Sequence, residues 1–225
     1  MNILAIDTSL GAAAACVLDA ATGATLAQES IAMARGHDEA IVAVIERVCA
    51  AAGGLERVGK VAVTVGPGSF TGIRVGLSAA RAIGLAAGVP VVGVSSLAAY
   101  CAPIVVDFPA AVAAAAIDAR HGRVFLMAVA NGKPVVAPRL VGPREGARML
   151  GQGPIRIAGS GAMSIAIEAW SAGAVCEPAP DAGAPDIAFV ARLGAAASPE
   201  TAPARPLYLK APDVKIPASA AAPRA

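Results

Sequence analysis

The first 33 residues alternate short apolar runs with turn-forming positions: residues 3–8, 12–19 and 25–33 read as strands, separated by Ser9-Leu10-Gly11 and Ala21-Thr22-Gly23. Strands so closely spaced predict an antiparallel meander. From His37 the period changes, with Ile41, Val44, Ile45 and Val48 at i, i+3, i+4 and i+7 and a stop at Gly53-Gly54, which predicts an amphipathic helix. Residues 61–65 form a β-branched apolar run suited to a buried strand. The stretch Gly66-Pro67-Gly68-Ser69-Phe70-Thr71-Gly72-Ile73-Arg74-Val75-Gly76 joins that run to a helix expected over 71–87. Residues 91–94 make one more strand, and Ser95-Ser96-Leu97 starts a short helix expected to end at Tyr100.

The opening pattern then recurs. Ala5-Ile6-Asp7 followed by Gly11 has the spacing of Ala116-Ile117-Asp118 followed by Gly122, each preceded by an apolar run and followed by a strand-like one, so the chain reads as two related halves. The second half continues with strands at 124–130, 134–141 and 155–158, a helix at 144–150, and a helix that Gly159-Ser160-Gly161 opens toward Trp170. A Pro-rich segment at 178–185 leads to a last helix over 186–197. This divides the chain into an N-terminal lobe, 1–103, carrying the glycine loop, a C-terminal lobe, 104–210, and an Ala/Pro-rich tail, 211–225, expected to be flexible.

Within the helix after the glycine loop, Gly72, Gly76, Ala80 and Gly84 recur every fourth residue, although each interior glycine costs roughly 1 kcal/mol relative to alanine. A small-residue stripe lets another backbone approach, so this face is expected to meet a helix. Two identities are open for that helix: the chain's own, beginning near His37, or one from a partner subunit.

Composition narrows the classes. With 225 residues and 56% hydrophobic content the chain can bury a full core, and aromatics at 3% imply a core of small side chains and argue against a base-stacking surface. A net charge of +2 is too balanced for a dedicated nucleic-acid or membrane-surface binder. Cys16, Cys49, Cys101 and Cys176 have no CxxC spacing and read as reduced thiols. The N-terminus lacks a basic region ahead of Asp7, and the apolar windows 75–94 and 104–117 are broken by Arg81, Pro90, Asp107 and Pro109. These features predict a cytoplasmic protein without a membrane span.

The glycine loop departs from both common nucleotide signatures: Gly72 is followed by Ile73, so the Walker lysine is absent, and Thr71 stands where the dinucleotide fingerprint needs glycine. An anion site on backbone N–H groups, helped by Ser69, Thr71 and Arg74, stands beside a purely structural turn. Asp7, with Thr8 and Ser9, and Asp118 end apolar runs, where a carboxylate either faces a hydrated metal or phosphate or caps its own turn. His37 and His121 are the sole histidines, neither with a second at i+3 or i+4, and no G-x-S-x-G elbow occurs, so neither a His metal site nor a hydrolase is indicated.

Residues 3–9, the loop from Gly66 to Arg74, Gly93-Val94-Ser95-Ser96-Leu97, Ile117-Asp118-Ala119-Arg120 and Tyr208-Leu209-Lys210 together resemble the bacterial TsaB (YeaZ) family over nearly the whole chain, with Lys210 where that family more often has arginine. The resemblance implies an α/β, actin-like ATPase or RNase-H-like fold of two related lobes, each with a mixed sheet and helices. It implies a noncatalytic dimerisation subunit for TsaD in forming N6-threonylcarbamoyladenosine in tRNA, with TsaE as an ATPase of the same system and TsaC as source of the threonylcarbamoyl-adenylate. The metal-binding histidines of TsaD correspond to Ser96 and Tyr100 here, so no catalytic metal is expected on this chain.

On that reading His37, Ile41, Ile73, Gly72, Gly76, Ala80 and Gly84 form the partner face, and for isolated chains two states stay open, a homodimer through the same face and a monomer. Asp7, Thr8, Ser9, Gly66, Gly68, Ser69, Thr71 and Arg74 form a candidate anion or nucleotide site. ATP and Mg²⁺ are expected to act in the wider complex, and tRNA to be contacted only through it. The alternative is an ATP- or metal-dependent enzyme of the same fold, a kinase-like ATPase or a metallopeptidase, to which Asp7 and the loop would contribute.

Overall fold

The computed structural model describes residues 1–209; Lys210 and the tail 211–225 lie outside the described residues. Strands β1 (Asn2–Asp7), β2 (Ala12–Asp19) and β3 (Thr25–Ala32) form the expected meander, and β4 (Val58–Gly66) and β5 (Val91–Ser95) add to it in parallel, giving the order β3-β2-β1-β4-β5. Strands β6 (Val112–Asp118), β7 (Val124–Ala130), β8 (Lys133–Val141), β9 (Ile155–Ala158) and β10 (Cys176–Pro178) repeat this wiring, in the order β10-β9-β6-β7-β8. The repeat read from two Ala-Ile-Asp runs is thus a repeat of whole topology, with Asp7 and Asp118 ending equivalent strands.

Six helices cover the sheets. On the outer faces, α1 (His37–Ala51) and α2 (Phe70–Ala87) pack on the first sheet, and α4 (Pro143–Leu150) and α5 (Ala162–Ser171) on the second. Between the sheets, α3 (Ser96–Asp107) lies on β6 and β7, while α6 (Ile187–Ala196) crosses back onto β1, β2 and β4. The result is five layers with four apolar interfaces. Each half therefore gives a helix to the other's sheet, and α3 runs unbroken through the 103/104 position at which the sequence divides the lobes.

Alanine explains how the layers approach. Ala12 to Ala15 of β2 and Ala113 to Ala116 of β6 are almost wholly buried with both faces covered, so small side chains let helices sit close on either side. Two elements differ from expectation. Helix α3 extends to Asp107 despite Pro103, because Cys101 and Ile104 bury against the second sheet and that packing outweighs the lost N–H. Strand β10 is three residues long, too short for a periodic signal, and forms because β9 offers it a parallel edge.

Candidate functional site

Asp7 leaves β1 fully buried. Its Oδ1 accepts hydrogen bonds from the Ser9 backbone N–H (2.8 Å), the Ser9 hydroxyl (2.7 Å) and the Thr64 hydroxyl, while Oδ2 is buried without a partner. Burial pushes the Asp7 carboxyl pKa up against the lowering effect of the Thr64 and Ser9 hydrogen bonds. Ser9 continues the network to Ser96, their hydroxyl oxygens 3.0 Å apart. Ser96 and Tyr100, on the first turns of α3, are both buried, and burial raises the Tyr100 phenol pKa. The two positions that the family resemblance sets against the TsaD histidines are therefore filled by a hydroxyl bonded within the core and a neutral phenol. Asp118, the topological twin of Asp7, is exposed, with its Oδ1 accepting from the Arg120 N–H as an Asx turn.

The glycine loop closes on this network. Gly66 adopts φ 98°, a conformation costly for any side chain, and a cis peptide follows to Pro67. Ser69 donates its N–H to the Ser9 carbonyl at 2.7 Å and caps α2 with its side chain on the Gly72 N–H. The Thr8 hydroxyl donates to the Gly72 carbonyl at 2.7 Å. On the other side of the β1–β2 turn, Gly11 donates its N–H to the Gly183 carbonyl at 2.9 Å. The N–H groups of Ser9, Gly11 and Ser69, which a phosphate would seek at such a turn, are thus occupied within the chain.

The candidate anion set divides accordingly: Asp7, Thr8, Ser9 and Gly66 are buried, whereas Gly68 is half-buried and Ser69, Thr71 and Arg74 are exposed. The eight positions do not form one open cradle.

The small-residue stripe also has a different neighbour from the one expected. A Cβ at Gly72 would collide with the Thr8 carbonyl, and one at Gly84 with the Val91 side chain. At Gly76 it would stand 2.6 Å from the Thr8 hydroxyl and 3.4 Å from Val63. The stripe therefore lies against the chain's own first sheet, and Gly72, Gly76, Ala80, Gly84, Ile41 and Ile73 are buried there. His37 is half-buried, with Nε2 2.9 Å from the Leu10 carbonyl. Six of the seven are thus turned inward, and His37 alone keeps part of its surface open. The period marked close approach correctly, but an α/β sandwich supplies a strand rather than a helix.

Two open features remain. The α1–α2 pair carries an outer groove of about 530 Å³ lined by Val42, Ile45, Cys49, Leu55, Ala79 and Ile83, with a second depression beside it reaching Arg74 and Phe70. A cleft, also of about 530 Å³, separates the glycine loop from the Asp118-Ala119-Arg120 turn of the second lobe, with Leu207, Tyr208 and Leu209 along one side. At its rim Phe70 stacks on Tyr208 with ring centroids 5.7 Å apart, and the Arg74 guanidinium lies 3.8 Å from the Phe70 centroid. The low aromatic content hid this pairing, since it joins residues far apart in sequence. Thr64 was also missed; a polar side chain inside the β-branched run was its one signal. Among the described residues no group of three or more His, Cys, Asp or Glu side chains is placed to hold a metal, and no helix is long and apolar enough to cross a membrane.

Residues 27–140 match the family model described as TsaD, tRNA N6-adenosine threonylcarbamoyltransferase. The chain is 31% identical to an uncharacterized protein of Mycobacterium tuberculosis over 95% of this chain and 94% of that one. It is 34% identical to the tRNA threonylcarbamoyladenosine biosynthesis protein TsaB of Haemophilus influenzae, over 59% of this chain and 56% of that protein. Among solved structures, YeaZ from Pseudomonas aeruginosa superposes with a TM-score of 0.74 at 24% identity, covering 92% of this chain and 99% of that one. The ADPNP-bound activator of 2-hydroxyisocaproyl-CoA dehydratase from Clostridium difficile shares the fold at TM-score 0.51 and 12% identity, over 87% and 95% of the two chains. The two-lobed architecture is the actin-like, RNase-H-like one, and the chain belongs to the family of the threonylcarbamoyltransferase model, with TsaB and YeaZ proteins among its relatives.

Proposed function

We propose that this chain is a noncatalytic subunit in the formation of N6-threonylcarbamoyladenosine in tRNA, pairing with TsaD as its catalytic partner. The observation that carries the noncatalytic part is the Asp7–Ser9–Ser96 network: the Ser9 hydroxyl links the strand-end carboxylate to the first turn of α3 inside the core. A site so closed supports ATP and Mg²⁺ acting elsewhere in the assembly, with TsaE as the ATPase component.

With the glycine stripe turned inward, the surface that fits a partner is the outer α1–α2 groove. Val42 is 55% exposed at its edge, while Ala79 and Ala82 leave room for an incoming apolar side chain. The same groove fits a second copy of this chain, which makes a homodimer the competing assembly in isolation.

Reconstitution of tRNA modification from TsaC, TsaD and TsaE, with and without this chain, tests the proposal. Modification is expected to require it; full activity in its absence would overturn the reading. The enzyme alternative predicts binding of ATP with Mg²⁺ by the isolated chain. Calorimetry is expected to show none.

A further inference from the structure

The near-neutral net charge of the chain conceals a segregation. Residues 118–156 hold seven of the 18 basic residues and two of the 16 acidic ones, Asp118 and Glu145. Five of the seven meet at one corner of the second lobe. Arg120 and Arg123 sit on the β6–β7 turn, Arg139 near the end of edge strand β8, and Arg144 and Arg148 one turn apart on α4.

The geometry gathers them. Arg139 and Val141 point to one face of β8 by the two-residue alternation, and Val141 packs toward Gly146 on the inner side of α4. Gly146, Ala147 and Leu150 face the core, which turns Arg144 and Arg148 outward. The Arg123 guanidinium donates to the Leu140 carbonyl at 3.0 Å, placing it beside the connection from Arg139 to Arg144. All five side chains are exposed, and neither ion pair among the described residues, Arg47–Glu29 and Arg156–Glu177, involves them. Glu145 is the acid that shares their helix. Arg120 continues the corner into the interlobe cleft, whose opposite wall carries the exposed Phe70 and Tyr208 rings.

Guanidinium groups in a track match phosphodiester oxygens through paired N–H donors, and exposed rings beside such a track offer stacking faces to unpaired bases. We propose that this arginine corner, leading into the aromatic rim of the cleft, is an RNA-docking surface through which the chain itself contacts the sugar-phosphate backbone of tRNA. The inference rests on the tRNA-modification reading and goes beyond it by giving this chain a direct contact.

The test is fluorescence anisotropy of the full chain with an unmodified tRNA transcript at low salt. Arg144→Glu/Arg148→Glu is compared with Arg35→Glu/Arg57→Glu, which makes the same charge change on exposed first-lobe arginines. The corner variant is expected to bind at least about tenfold more weakly, with a salt slope smaller by about two, while the control binds as the parent does. Thermal melts check the fold, and Arg144→Gln/Arg148→Gln, expected to weaken binding in the same direction, replaces the reversal if its melt is altered. Absence of binding by the parent chain, equal losses in both variants, or no loss in the corner variant would overturn the proposal. So would comparable binding to phosphatidylglycerol vesicles lost on the same substitutions, which would mark a general anionic-surface contact. In the reconstituted reaction, modification that requires this chain yet is indifferent to the corner substitutions would reject the docking surface and leave the functional assignment standing. Modification that does not require the chain would reject the assignment itself.

Discussion

Asp7 and Asp118 end equivalent strands with the same residues before them, yet their surroundings make them chemically different. Asp118 faces solvent and closes its own turn, whereas Asp7 is buried with one oxygen triply bonded and the other bare. Because burial raises the Asp7 pKa in the folded state, ionisation opposes folding. Its stabilising contribution is fully present below the unfolded value near 3.8 and is lost as pH rises through the folded value. Asp7→Asn does not ionise, so its stability relative to the parent is expected to climb from about pH 4 upward and then level off; melting temperatures across pH 3–8 check this. A flat difference would place the carboxylate in a more polar setting than the structure gives it. Gly76 allows a sharper test: Gly76→Leu drives a side chain into Thr8 and Val63 and is expected to cost about 3 kcal/mol or more in urea unfolding.

At the scale of elements, α6 shows how one charge anchors a helix to a sheet that its own lobe does not own. Lys60 of β4 donates to the carbonyls of Gly194 (3.3 Å), Ala195 (3.0 Å) and Ala197 (2.8 Å), so its ammonium caps the C-terminus of α6, where carbonyls lack intrahelical partners. Lys60→Met keeps the aliphatic stem and removes the charge. It is expected to cost roughly 1–2 kcal/mol and to speed amide exchange in α6 before α2, measured by hydrogen exchange. The outer α1–α2 groove makes a contrasting prediction. Ala82 is exposed and lines it, so Ala82→Arg is expected to leave the melting temperature within about 2 °C while reducing co-purification of TsaD at least tenfold. Retained pairing would move the partner surface elsewhere.

The whole molecule is a duplication in which the halves have exchanged inner helices, α3 to the second sheet and α6 to the first. Neither sheet is covered on both faces without the other half, so unfolding by urea is expected to be a single transition by tryptophan fluorescence, reporting Trp170 in the second half, and by circular dichroism, reporting both. Non-coincident transitions would show that the halves fold separately. The same exchange places the β6–β7 turn opposite the glycine loop, bringing Arg120 to face Phe70 and Tyr208 across one cleft.

Periodicity and turn residues determined where nearly every strand and helix lies, because alternation and the 3.6-residue repeat report local burial and Gly or Pro punctuates it. The Asp7 and Asp118 repeat announced the duplication, and the motifs announced the family. Neighbours across the fold were not legible. The Gly72 to Gly84 stripe recorded that something approaches α2 closely, but a missing Cβ is silent on whether strand or helix fills the space. A net charge of +2 is an average over the chain and says nothing of where arginines gather. Likewise two Asp residues in the same local sequence differ in burial because Thr64 and the Ser9–Ser96 pair enclose Asp7, whereas Asp118 lines the open interlobe cleft. Local sequence sets what each segment can form, and long-range packing decides which surfaces are covered and which are left to meet another molecule.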